Sequence, residues 1–208
     1  VPDSNTSNTT KLLGHMTYTV NGVQYTEKYE GDNGDFAALI ESTQDLHTSQ
    51  AAVGVYERTF RALRRAGFEV LCLTISSRLS GTYANATACA REIPGVRVVD
   101  TRTTAIGLAF LVYEARRMIQ RGLSLEETAQ QIADMRDCVK TMFTVEDMRP
   151  LRRSGRLGPV RQSVGTILNI RPLLTCRDGA VVACGAVRGQ VEQLRSLVAA
   201  VPAHAGPI

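Results

Sequence analysis

The stretch Ser76-Ser77-Arg78-Leu79-Ser80-Gly81-Thr82-Tyr83 joins two segments of different character. The residues before it, 68–75, are apolar and rich in β-branched side chains, which predicts a buried strand of a parallel sheet. The residues after it, 84–92, are rich in alanine and predict a helix. The sequence therefore predicts an α/β fold in which a tight, hydroxyl-rich turn connects a strand to a helix.

This turn has the composition of an anion-binding site. Ser80 is predicted to be the N-cap of the helix, and Gly81 lets a ligand approach the backbone closely. A helix N-terminus carries unpaired N–H groups and a partial positive charge, which favour a phosphate or a carboxylate. Ser77 and Thr82 would add hydroxyl donors. A purely structural role, in which Ser80 only caps its helix, fits the local residues equally well.

The composition is that of an ordinary globular protein. The 208 residues are 44% apolar and 21% charged, enough for one large domain or two small ones. The net charge of +4 is too small to indicate a nucleic-acid partner. The polar N-terminus and the short apolar runs predict neither a signal peptide nor a membrane span, so we expect a cytoplasmic protein.

The five cysteines have neither an even count nor Cys-x-x-Cys spacing. Cys72 falls in the predicted strand and Cys89 in the predicted helix, so both are expected to be buried free thiols. The spacing predicts no disulfide framework and no metal site, in agreement with a reducing compartment.

Helices and strands alternate in the first part of the chain, which predicts a first domain over residues 1–140 with a mostly parallel sheet. Asn21-Gly22 predicts a two-residue hairpin, and Ser124 with Glu127 forms a predicted capping box. Helices are predicted over residues 36–41, 51–65, 105–120 and 125–138.

After residue 140 the pattern favours strands. Strands are predicted over 141–145, 167–175 and 180–187, with a basic, turn-rich segment at 148–158 and a helix at 190–200. The sequence thus predicts a second α/β domain over residues 141–208, with a mixed or antiparallel sheet. The ligand crevice is expected at the carboxyl ends of the strands of the first domain, where residues 76–82 lie.

Seven arginines and no acidic residue lie between Asp147 and Asp178. This segment is either a solvated face or a surface for an acidic partner, a phosphate or an anionic membrane. Nucleic acid is disfavoured, because the segment has no interleaved aromatic residues and no recognised motif.

Four ordered blocks carry a resemblance to a known family. The 76–83 stretch, Thr48-Ser49-Gln50, residues 151–157 (Leu-Arg-Arg-Ser-Gly-Arg-Leu) and residues 168–174 (Leu-Asn-Ile-Arg-Pro-Leu-Leu) resemble the DegV family of bacterial fatty-acid-binding proteins. The match to the Asp-Ser-Thr of the family's N-terminus, at residues 3–6, is partial. Ser154 replaces the first glycine of an Arg-Gly-Gly-Arg block and would be strained if that position required a positive φ.

The resemblance implies two α/β domains with the ligand between them. The acyl chain would lie in an apolar tunnel of the second domain, and Thr48, Ser80 and Gly81 would hold the carboxylate. It implies a binding subunit, not an enzyme, that presents a long-chain fatty acid to a separate ATP-binding fatty acid kinase subunit. Arg153 and Arg156 would lie near the phosphate end. No cofactor is implied besides the bound fatty acid, and the chain has no ATP-binding motif of its own.

Family members are longer than this chain and end in a His-x-Gly-Pro-Gly segment. His204 begins a similar spelling here, but only fifteen residues after Gly189. Either the second domain is incomplete, as we expect, or His204 matches by chance in a loop. Two other functions are open: a hydrolase with Ser80 as its nucleophile, and a phosphate- or nucleotide-binding protein.

Overall fold

The computed structural model describes residues 17–26, 46–146, 148–158 and 170–202. The first sheet contains strands β1 (Thr17–Val20), β2 (Val23–Thr26) and β3 (Leu46–Ser49), in the antiparallel order β2-β1-β3. Asn21 and Gly22 have φ values of +49° and +81°, which suit a tight hairpin turn and confirm the predicted hairpin. The predicted helix at 36–41, residues 3–6 and His204 lie outside the described residues.

The second sheet pairs β4 (Val70–Thr74) with β5 (Val96–Asp100) in parallel. Because side chains alternate along a strand, Val70 and Cys72 of β4 pack on one face and Leu71 and Leu73 on the other. Four helices belong to this region: α1 (Val53–Arg65), α2 (Thr82–Arg91), α3 (Ala105–Gln120) and α4 (Leu125–Met135).

Each face of this parallel pair has its own apolar cluster. Phe60 of α1 and Ala86 of α2 are fully buried on one face, and Leu111 of α3 and Ile132 of α4 are fully buried on the other. Helices on both faces of parallel strands confirm the predicted α/β class. The predicted burial of Cys89 is also confirmed.

A glycine and a capping box mark two of the helix ends. Gly67, at φ +86°, ends α1, and the N–H of Phe68 donates to the carbonyl of Leu63 over 3.1 Å in a Schellman arrangement. Ser124 and Glu127 form the predicted capping box at the start of α4. This helix ends at Met135, and a turn of 3₁₀-helix over Arg136–Cys138 completes the predicted span.

The third sheet contains β6 (Met142–Phe143), β7 (Ile170–Arg177) and β8 (Ala180–Arg188) in antiparallel order, followed by α6 (Gly189–Ala199). The antiparallel pairing confirms the prediction for this region. Strand β6 is shorter than predicted. The basic segment contains a short helix, α5 (Arg149–Arg153), where turns were predicted. Pro150 lies in its first turn, where its missing N–H costs no helical hydrogen bond.

None of the helices in the described ranges has the length and apolar character needed to cross a bilayer. The division of the chain at residue 140 stays a prediction.

Candidate anion-binding site at residues 76–82

The turn at residues 76–82 lies at the carboxyl end of β4, where the sequence predicts the ligand crevice. Its first residue, Ser76, is fully buried. The carbonyl of Ser76 accepts the N–H groups of Leu79 and Ser80 over 3.0 and 3.1 Å, which closes the turn. The N–H of Ser76 donates to Thr103 over 3.0 Å and so ties the turn to the loop after β5.

The Ser76 side chain connects this turn to the third sheet. Its hydroxyl donates to the carbonyl of Gly179 over 2.7 Å and accepts the N–H of Arg78 over 3.2 Å. Gly179 has φ +80°, and a Cβ there would meet the Ser76 hydroxyl at 2.5 Å. The local sequence around Ser76 does not reveal this role, because its partner lies 103 residues further along the chain.

Two arginines add hydrogen bonds to this connection, one donated by the turn and one donated to it. Arg78 donates from the 76–82 turn to the carbonyl of Asp178 over 3.3 Å, and Arg156 donates back to the carbonyl of Leu79 over 3.2 Å. The Leu79 side chain packs among the apolar residues around Leu174 and Val181 of the third sheet. Residues 76–79 therefore join the second sheet to the third.

Ser77 was predicted to supply a hydroxyl to an anion, but its polar groups are engaged within the protein. Its N–H donates to one oxygen of the Asp100 carboxylate over 3.1 Å and its hydroxyl to the other over 2.5 Å. Asp100 also accepts the N–H of Arg102 over 3.0 Å. A carboxylate beside Ser77 disfavours a second anion at this point.

The prediction that Ser80 is the N-cap of α2 is wrong. The N-cap is Gly81, and Ser80 precedes it. The Ser80 hydroxyl oxygen accepts the N–H of Thr82 over 3.3 Å and lies 2.9 Å from the Thr82 hydroxyl oxygen. The N-cap shifts by one residue because Gly81 supplies the carbonyl that accepts the first helical bond, from Asn85 over 3.0 Å.

Gly81 has an ordinary φ of −72°, so its backbone conformation does not require glycine. Space does require it, since a Cβ at this position would collide with the side-chain carboxamide of Gln50. The Gln50 Oε1 atom is 3.5 Å from the Ser80 hydroxyl. The two elements predicted to share a site, 48–50 and 80–81, therefore meet through Gln50.

Thr48 itself lies on β3, opposite Tyr18 in the strand register, with its side chain exposed. Within the described ranges no hydrogen bond joins Thr48 to Ser80. The structure thus brings the β3 terminus to the 76–82 turn, with Gln50 at the point of contact.

The two arginines predicted to lie near the phosphate end differ in position. Arg156 reaches the turn through its bond to Leu79 and also donates to the carbonyl of Ser154 over 2.5 Å. Arg153 is exposed in the last turn of α5. Ser154 has φ −73° and is not strained, because the positive φ of this block, +69°, falls on Gly155.

The thiols have no role in the site geometry. Burial raises the pKa of Cys72 to about 12. The half-buried position of Cys176 raises its pKa, against the opposing effects of hydrogen bonds from the Thr103 hydroxyl and the Thr104 backbone. All five cysteines are free. The described part of the chain contains no cluster of three metal-ligating side chains.

A parallel pair flanked by helices, whose carboxyl-end turn is joined to an antiparallel sheet, defines a mixed α/β fold. The model of the DegV family, described as uncharacterised proteins, matches residues 15–206 of this chain. The chain belongs to the DegV family.

Individual relatives also belong to the DegV family. The DegV domain-containing protein YteA of Lactococcus lactis is 35% identical over 196 residues, covering 90% of this chain and 68% of that protein. The chain spans 59% of the length of its curated relatives from Staphylococcus aureus.

Solved structures share the fold. A DegV family protein from Thermus thermophilus, described for its fatty acid binding, is 31% identical with a TM-score of 0.77, over 89% of this chain and 68% of that one. The fatty acid kinase B3 protein of Streptococcus pneumoniae, loaded with linoleic acid, is 20% identical with a TM-score of 0.78, over 88% of this chain and 66% of that one. The second likeness shows the fold alone.

Proposed function

We propose that this protein binds a long-chain fatty acid and holds its carboxylate with Thr48, Ser80 and Gly81. The observation that carries the proposal is the pair of hydroxyls on Ser80 and Thr82, 2.9 Å apart at the N-terminus of α2. One of the two hydroxyl protons lies between them, and the Ser80 proton otherwise meets only the Gln50 Oε1 atom at 3.5 Å, a long contact that an anionic acceptor can replace. A helix N-terminus favours an anionic acceptor there.

The affinity would come mostly from the acyl chain. Burial of about sixteen carbons at ~0.8 kcal/mol per CH₂ contributes roughly 12 kcal/mol before the cost of association and chain ordering. Each hydrogen bond to the carboxylate adds about 1.5–3 kcal/mol and fixes which end of the ligand faces the turn. The fatty acid binding described for the Thermus thermophilus relative supports this ligand class.

The protein would act as a binding subunit without an ATP site and present the carboxylate to a separate kinase subunit that forms the acyl phosphate. The resemblance to the family's kinase-associated members is the basis for this partner. Arg156 is bonded next to Ser80, and Arg153 lies on the same short basic segment, so both are suited to a phosphate or an anionic membrane surface. The five free thiols agree with a reducing, cytoplasmic location.

The hydrolase alternative has less support. An activated serine needs a base within hydrogen-bonding distance of its hydroxyl. Among the described residues, the partners of the Ser80 hydroxyl are Thr82 and Gln50, and neither side chain is a general base. A phosphate ligand in place of a carboxylate is tested by the experiment below.

The test is native mass spectrometry of the purified protein with palmitate and, separately, with inorganic phosphate. We expect a one-to-one palmitate adduct whose abundance falls in Ser80→Ala and Thr48→Ala, with Ser77→Ala as the matched control because the Ser77 hydroxyl is bound to Asp100. Addition of ATP and a fatty acid kinase subunit should yield acyl phosphate only with palmitate-loaded protein. Undiminished palmitate binding in both site variants would rule out the site, and binding of phosphate alone would favour the alternative.

A further inference from the structure

The carboxamide of Gln50 lies beside the 76–82 turn, and the proposed function gives this side chain no role. It lies against the Cα of Gly81, so closely that a side chain there would collide with it. Its Oε1 atom is 3.5 Å from the Ser80 hydroxyl, the limit of a hydrogen bond. Among the described residues, the Gln50 side chain has this one long hydrogen bond, and it uses the oxygen of the carboxamide.

The two N–H donors of this carboxamide therefore have capacity for an acceptor beside Ser80. The oxygen and nitrogen of a glutamine amide are interchangeable by rotation about the last side-chain bond, and either orientation keeps a donor near the same point. A carboxylate has two oxygens that accept in several directions, so one oxygen can face Ser80 while the other faces Gln50.

The backbone that carries Gln50 is held from both sides. Strand β3 ends at Ser49, and Ala51, directly after Gln50, is buried in the cluster around Phe60. The carbonyl of Ala51 accepts a hydrogen bond from the side chain of Asn85 on α2 over 3.3 Å. Helix α2 is the helix that begins at the proposed site, so Gln50 and Ser80 are fixed relative to each other by the same helix.

We infer that Gln50 is a headgroup-recognition residue of this site, donating an amide N–H to the bound carboxylate beside the Ser80 hydroxyl. This inference rests on the proposed function and names a residue and a donor that the proposal lacks. It also explains why residue 81 is glycine: the carboxamide needs the space above its Cα, whereas φ is ordinary.

The test compares one acid with its alcohol of equal chain length, dodecanoate and dodecanol, by titration calorimetry. Gln50→Ala should weaken dodecanoate binding about tenfold and leave dodecanol binding within about twofold. Gln50→Glu should weaken dodecanoate binding relative to the wild-type protein, and the difference should grow as the pH rises from about 3.5 to 6, because both carboxyl groups ionise over this range and then repel each other. Gln131→Glu, an exposed glutamine on α4, is the matched control for the added charge.

A second variant separates contact from fold. Gly81→Ala displaces the Gln50 carboxamide, the far end of a flexible side chain, so it should lower dodecanoate affinity to the level of Gln50→Ala. Because alanine is a poorer N-cap than glycine, it should also lower the free energy of unfolding, by no more than about 1 kcal/mol. Adding Gly81→Ala to Gln50→Ala should then cause no further loss.

Each other outcome counts against the inference. If Gln50→Ala lowers the affinities for dodecanoate and dodecanol equally, Gln50 has only a structural role. If Gln50→Glu leaves the ratio of the two affinities unchanged at every pH, the carboxylate is bound elsewhere. A further loss in the double variant would mean that the added Cβ at position 81 disturbs the ligand directly and not through Gln50. Failure of the wild-type protein to bind either ligand overturns the proposed function and this inference together, a result distinct from loss in the variants alone.

Discussion

Two halves of one turn use the same kinds of residue for different purposes. In the inner half, residues 76–79, the hydroxyls of Ser76 and Ser77 donate to Gly179 and Asp100, and Leu79 is packed against the third sheet. In the outer half, residues 80–82, two hydroxyls share one hydrogen bond beside a carboxamide with unused donors. The inner half fixes the turn, and the outer half has hydrogen-bonding capacity left for a ligand.

The difference shows why hydroxyl content alone does not identify a binding residue. Ser76, Ser77 and Ser80 lie within five positions of one another, yet Ser76 is fully buried and Ser77 is occupied by a carboxylate. Burial and partners, which depend on residues far along the chain, decide which serine remains available.

The largest effect is expected at the contact between the inner half and the third sheet. Gly179→Ala should lower the free energy of unfolding by about 3 kcal/mol, since alanine is strained at φ +80° and its Cβ collides with the Ser76 hydroxyl. Ser76→Ala should cost about 2 kcal/mol, because it leaves the buried Gly179 carbonyl without a partner. Urea denaturation measures both changes.

The double variant tests whether these two residues act on one contact. Removing the Ser76 hydroxyl makes room for the new Cβ, so the combined loss should be smaller than the sum of the single losses. Strict additivity would mean that the two residues do not touch in solution.

Local features of the fold were predictable from sequence. The bounds of α3, the Asn21-Gly22 hairpin and the Ser124–Glu127 capping box each depend on residues adjacent in sequence, and each was confirmed. Helix α5 was missed, because a segment of five helical residues rich in arginine has no apolar period to reveal it.

The site was predictable only in part. Family-like spelling selected the 76–83 stretch, and the structure confirms that it is a turn between strand and helix. The N-cap was placed one residue too early, since serine is the commoner N-cap and the sequence does not reveal the carboxamide over Gly81. The roles of Ser76 and Gln50 depend on partners 103 and 30 residues away, which no local pattern encodes.

The second prediction concerns the outer half. Ser80→Ala should weaken fatty-acid binding by about 1.5–2 kcal/mol, the value of one hydrogen bond to a charged group, and should reduce stability by less than about 1 kcal/mol because Ser80 is not the N-cap. Titration calorimetry and urea denaturation give the two numbers. A loss of stability without a loss of binding would reverse the roles assigned to the two halves.

The third prediction concerns local opening of the contact between residues 76–79 and the third sheet, which thiol alkylation can detect. Cys176 lies beside Thr103, and its raised pKa should make it react more slowly near neutral pH than the exposed Cys138. Ser76→Ala should speed alkylation of Cys176 several-fold, as read by peptide mass spectrometry.

Cys72 provides the internal control for that measurement. Its thiol is buried, with a pKa of about 12, so it should stay unmodified in both proteins unless the whole domain unfolds. Parallel acceleration at Cys72 and Cys176 would indicate global unfolding in place of local opening.

The smallest expected effect is the pH dependence of the stability that Glu127 contributes at the start of α4, away from the 76–82 turn. Hydrogen bonds from the Ser124 hydroxyl and backbone N–H lower the pKa of Glu127 below its usual 4.5. The contribution of this carboxylate to stability is therefore complete above about pH 4.5 and is lost as the pH falls through the lowered folded-state value. Glu127→Gln should flatten the stability profile in this range, as measured by urea denaturation at a series of pH values.

The most direct test of the central claim is a measurement of the pKa of a bound fatty acid. The ¹³C NMR shift of its labelled carboxyl carbon, recorded as a function of pH, gives this pKa. If the outer half binds the carboxylate, hydroxyl and amide donors at a helix N-terminus will hold the pKa of the bound carboxyl below that of the same ligand bound to Ser80→Ala. Ser77→Ala should behave like the wild-type protein. A bound carboxyl whose titration is the same in wild type and Ser80→Ala would contradict the account.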